Sequence, residues 1–158
     1  MKAAGLQEIK KELQALPPDE LAELCLSLAK YKKDNKEYLG YLLFEAHNKK
    51  NLINDVKALI DEQMSALQTQ PNLYYVKKGL RKLLRLINKY CKYVNDKTLT
   101  ADLYIYFCSK LKNSSIPYHK SKLIVNMYAL QLKKINLLVA SFHEDLRHDY
   151  LNDIENIS

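Results

Sequence analysis

Leu6, Ile9, Leu13 and Leu16 recur at intervals of three and four residues, the spacing that lines one face of an α-helix, and predict a first helix over 6–16. Pro17 disfavours helix at the residue before it, while Pro18, Asp19 and Glu20 suit a new first turn, so a second helix is expected over 18–31. It should bury Leu21, Leu24, Cys25 and Leu28. Further runs of the same period predict helices over 35–46, 52–67, 72–94 and 99–111, separated by polar or Pro-containing junctions. Beyond Pro117 a long helical pattern continues to about 151, with a break expected near 140–141 and a frayed tail over 152–158.

Period-two alternation occurs only in LYIYFC, residues 103–108, and no second run offers it a partner strand. The expected fold is therefore all-α, about seven helices in antiparallel pairs. They would form either a compact bundle or a short HEAT-like array of helical hairpins. No internal repeat beyond leucine spacing is visible, and 1–158 reads as one helical domain. Gly40 and Gly79 interrupt helical runs, where a missing side chain most simply permits close approach of another helix.

Composition supports helices and narrows the chemistry. Three Gly and four Pro in 158 residues leave few chain breakers, and three glycines cannot build a P-loop or a dinucleotide-binding fingerprint. The charged segment after Met1 has no continuous apolar core of the secretory kind. The most apolar window, INLLVASF, is far shorter than a membrane span. Cys25, Cys91 and Cys108 are odd in number and flanked by apolar residues, as expected of buried free thiols. A soluble cytoplasmic protein without a cofactor is the expectation.

The net charge of +7 is unevenly spread, and the distribution is more telling than the total. Residues 63–95 hold seven basic side chains and no acid, and 103–143 hold six and none; the tail from 144 carries five acids against Arg147. On a helical wheel Lys78, Arg81, Lys82, Arg85, Lys89 and Lys92 fall within an arc of about 100°. Val76, Leu80, Leu83, Ile87, Tyr90, Cys91 and Val94 lie opposite. This is a core helix with one cationic stripe. A solvated face accounts for the periodicity but not for the like charges repelling at i, i+3 and i+4. The acidic tail over 144–155 is expected to supply the facing carboxylates.

Other candidate chemistry is thin. HEDLRH resembles the metal-binding H-E-x-x-H, but His143 and His148 are five apart, about 140° around a helix, so metal ligands are not expected. His47 and His119 sit at helix boundaries, and no serine stands in a nucleophile elbow. No catalytic residue is expected. An enzyme would require Glu144, His148 or His47 to converge in a pocket. Twelve Tyr and no Trp suggest rings at the edge of the core with hydroxyls reaching water.

One stretch carries a resemblance. LQEIKKELQALPPDELAELCLSLAKYKKDNKEYLGYLLFE, residues 6–45, resembles the start of small bacterial α-helical proteins of uncharacterised function. In those, K-x-L-x-x-L-x-x-x-E-L precedes K-x-Y-L; here the parts run from Lys11 to Leu24 and from Lys36 to Leu39. The resemblance implies helical hairpins and brings no activity or binding residues. The expected function is a non-enzymatic helical module whose basic stripe engages an acidic protein. The alternative is non-specific nucleic-acid binding through the same helix, with Lys120, Lys122, Lys133 and Lys134. A membrane partner is not expected, because the apolar face of the basic helix is needed by the core.

Overall fold

The computed structural model describes residues 3–158; Met1 and Lys2, the first two residues of the 1–158 domain expectation and of the segment tested for a leader, lie outside it. Every regular element among the described residues is helical, as the periodicity predicts. The helices are α1 (Leu6–Ala15), α2 (Pro18–Tyr31), α3 (Lys33–Gly40), α4 (Lys49–Gln68), α5 (Leu73–Val94), α6 (Lys97–Lys112), α7 (Lys122–Ala140) and α8 (Glu144–Ile157). A π-helical turn, Tyr41–Glu45, follows α3, and a 3₁₀ turn, Tyr118–Lys120, precedes α7. The expected break at 140–141 is the end of α7. The chain groups into two compact units, 1–46 and 47–158, where a single domain over 1–158 was expected.

In the first unit α2 packs on α3. No side chain of α1, α2 or α3 is buried, and Leu24 and Leu28 are exposed where burial was expected. Cys25 is only partly covered, unlike the other two cysteines. Gly40 has no neighbour within 4 Å of the position a Cβ would take, so close helix approach is not its role.

The second unit is a bundle around α6, which packs against α4, α5, α7 and α8. Contacts of that reach distinguish a bundle from an array whose helices meet only their chain neighbours. LYIYFC lies inside α6. Leu103, Phe107, Cys108 and Leu111 are completely buried, and Ala101 and Tyr104 are buried with them. These positions share one broad face of about 160°, and the opposite face carries half-buried Ile105 and Tyr106, so apolar residues occur all round the window and it looks strand-like in sequence. Local chemistry starts three of the helices. Asn48, Asn72 and Asp96 cap α4, α5 and α6 through side-chain oxygens that accept from backbone N–H groups. Asn95 ends α5 in the left-handed conformation, with φ of 46°. Gly79 brings α5 onto α4: a Cβ there would come within 2.3 Å of Leu67 Cδ2.

The tail is not frayed. Tyr150, Ile154 and Ile157 are buried, and α8 packs on α6 and α7. Tyr150 donates to Asp102, and Tyr128 donates to the carbonyl of Ile157. Lys112 donates to the carbonyls of Asn156 (3.1 Å) and Ser158 (2.9 Å), placing a cation at the negative end of the α8 dipole. Helix α7 is long and apolar enough to pass as a membrane span by length and composition. Its Ile124, Tyr128, Ile135 and Val139 are nevertheless buried in the bundle.

Tyrosine hydroxyls link these helices. Tyr106 donates to Asp61 at 2.7 Å, and Lys110 pairs with the same carboxylate at 2.8 Å, tying α6 to α4. Burial holds the Tyr104 hydroxyl up to about 12, and burial also raises Tyr128 and Tyr150, the latter helped by its bond to Asp102. The fold thus favours their neutral forms. The stability this contributes is fully present below the ordinary tyrosine value of about 10 and is lost as pH rises beyond it. In an alkaline titration followed by tyrosinate absorbance, these three should ionise only together with unfolding above pH about 10. Complete ionisation of all twelve while helical circular dichroism persists would contradict their burial.

Candidate binding face on α5

Helix α5 owes its amphipathic form to the wheel described above. Val76, Leu80, Leu83, Leu84, Ile87, Cys91 and Val94 are buried against α4 and α6. The opposite face carries the stripe, about 21 Å from Lys78 to Lys92 at 1.5 Å per residue. Lys78, Arg81, Lys82, Arg85 and Lys92 are exposed, and none forms an ion pair among the described residues. Lys89 departs from the group. It is half-buried, with its ammonium 5.5 Å from the Tyr90 ring centre and 5.9 Å from that of Tyr93.

The expected masking by the tail is not found. Helix α8 lies on α6 and α7, and no hydrogen bond or ion pair joins it to α5 among the described residues. Glu144, Asp145, Asp149, Asp153 and Glu155 are exposed on α8 itself. The reason is geometric: the apolar seam Tyr150, Ile154 and Ile157 seats α8 where its hydroxyl and lysine anchors are.

Two grooves flank the stripe, and Arg85 borders both. The larger, about 730 Å³, runs between α5 and α7, with Lys78, Arg81, Arg85 and Lys134 contributing cations and no acid lining it. Leu84, Met127 and Leu130 give it apolar walls. Lys134 also lies 5.5 Å above the ring of Tyr104, whose hydroxyl donates to Asn88 at 2.7 Å. The smaller groove, about 420 Å³, lies between α4 and α5 and is bordered by Lys82 and Gln63. Sequence reasoning found the stripe but missed the grooves, because Lys134 and Leu130 reach α5 only through packing on α6.

Apart from the buried tyrosines and cysteines, Gln131 is the one buried polar side chain among the described residues, 2% exposed at the base of the larger groove. Its Nε2 donates to the Met127 carbonyl at 3.3 Å, while Oε1 is buried without a partner. An unpaired buried carbonyl costs about 1–3 kcal/mol. Gln131→Leu, close in volume and lacking that group, should therefore raise the melting temperature by several degrees. A fall in thermal denaturation experiments would mean that Oε1 is satisfied in solution.

The other candidate residues are not assembled. His47, Glu144 and His148 are exposed, and none lines either groove. His143 lies 3.7 Å from Asp145 on the surface, and His119 packs edge-on to Tyr118. No group of three or more His, Cys, Asp or Glu among the described residues could hold a metal ion. Cys91 and Cys108 are buried free thiols, and burial pushes Cys108 up to about 12, away from thiolate chemistry. Comparison with protein-family models, curated proteins and solved structures yields no match in any of the three.

Proposed function

We propose that this chain is a non-enzymatic helical interaction module that binds an acidic protein through the α5 stripe. The observation that carries this reading is the exposure, without ion pairs among the described residues, of Lys78, Arg81, Lys82, Arg85 and Lys92, while α8 and its acids pack on α6 and α7. Cations at i, i+3 and i+4 repel one another, and an acidic partner converts that repulsion into attraction. The apolar groove walls beside Arg81 and Arg85 favour a protein over a phosphate backbone, since polypeptide side chains can fill them. Free cysteines suit a reducing cytoplasm as the place of action.

A second reading, non-specific binding of single-stranded nucleic acid, has one supporting feature. Tyr74 and Tyr75 are exposed at the start of α5, and Lys77 and Lys78 lie 4.8 and 5.2 Å from the Tyr74 ring centre. Aromatic rings beside cations can stack bases. Fluorescence anisotropy with labelled poly-L-glutamate and with a labelled mixed-sequence oligonucleotide separates the two. The proposal expects the polypeptide to bind in competition with excess oligonucleotide at about 150 mM salt. Preference for the oligonucleotide, with affinity falling steeply between about 50 and 200 mM salt, would replace it with the second reading.

A further inference from the structure

Leu123, Leu130 and Leu137 follow one another at seven-residue intervals along α7, which keeps them within about 40° on one face. They are 51%, 52% and 66% exposed. A leucine seam of that spacing on an exposed helix is the pattern by which one helix receives another. It borders the α5–α7 groove, where Leu123 and Leu130 stand across from Arg81 and Arg85. One side of the groove is thus leucine and the other guanidinium, over a floor containing Leu84 and Met127.

We propose that this groove receives an amphipathic helix of the partner, with an apolar face on the α7 leucines and carboxylates along the flank facing α5. The inference rests on the acidic-partner reading above and adds to it the partner's secondary structure and seat. Charge complementarity selects this occupant. The groove lining has four cations and no acid, and α7 itself carries Lys122, Lys133 and Lys134 with no acid. A second copy presenting the same surface would bring like charges together, which disfavours a symmetric dimer there. An extended acidic chain would match the cations but leave the seven-residue seam without counterpart.

The test uses two labelled ligands, a helical peptide of three heptads with Leu at a and d, Glu at b and e along one flank and Ala or Gln at the remaining positions, and poly-L-glutamate, which offers charge without an apolar face. Both are titrated against the full chain and against the double variant Leu123→Ser/Leu130→Ser. These leucines are half in solvent, so circular dichroism and melting should be unchanged and the variant folded. The expected result is a loss of about tenfold or more in affinity for the heptad peptide, with poly-L-glutamate binding unaltered. If both ligands bind and the double substitution alters neither, the groove inference is overturned while the acidic-partner reading stands. If neither ligand binds, that reading itself fails. Self-association in sedimentation that the double substitution abolishes would assign the seam to a second copy and overturn the proposal. Binding to phosphatidylserine vesicles that it abolishes, with no peptide binding, would assign the seam to lipid instead.

Discussion

Phe107→Ala should cost about 3–5 kcal/mol of stability, enough to remove much of the 5–15 kcal/mol typical of a single domain. Phe107 has no exposed surface and lies in the middle of α6, the helix that meets α4, α5, α7 and α8. Truncation there removes apolar contact and leaves a cavity whose walls belong to a close-packed bundle, so collapse around the smaller residue is incomplete. Urea denaturation followed by circular dichroism measures the change. Leu103→Met, which nearly conserves volume at another fully buried α6 position, serves as the control and should cost less than about 1.5 kcal/mol. A Phe107→Ala loss below about 1 kcal/mol, the scale of ordinary surface substitutions, would mean that α6 is not the centre of the core.

What could be read from residues alone divides along physical lines. Helices whose two faces differ are legible: Val76 to Val94 against Lys78 to Lys92 define α5 almost to the residue, and Pro18 with Asp19 and Glu20 marks the start of α2. Capping residues help, since Asn72 and Asp96 act within three positions of themselves. Helix α6 is ambiguous because Ile105 and Tyr106 put apolar side chains on the face opposite its buried positions and blur the period. The seating of the tail is hidden for a different reason. Tyr150, Ile154 and Ile157 form a readable seam, but Lys112 and Tyr128, which tie down its last turn, are distant in the chain. Charge arithmetic then paired the acidic tail with the basic stripe by sign, whereas packing decides which helices meet. For the same reason the α5–α7 groove was not legible: its two walls share no local signal and are set side by side by their common contact with α6 or its neighbours.

Arg81→Glu combined with Arg85→Glu should lower affinity for poly-L-glutamate by roughly a hundredfold at low salt. The double change shifts the charge of one face by four units. A single contact at 4 Å is worth about 1 kcal/mol in bulk water and about 4 kcal/mol at the effective dielectric near a protein surface. Two contacts turned from attraction to repulsion therefore reach the required 2.7 kcal/mol, equivalent to about a hundredfold, even near the lower figure. The loss should shrink as salt rises, because the Debye length falls to about 8 Å at physiological ionic strength. Misfolding is not expected to confuse the result. Both side chains are exposed, and each new carboxylate would stand three or four residues from Lys77, Lys78, Lys82 or Lys89, replacing repulsions with helical ion pairs. Helicity and melting temperature should therefore hold or rise while binding falls. Undiminished binding by a folded double variant would mean that the acidic ligand is held elsewhere, and the stripe would then be only the solvated side of a core helix.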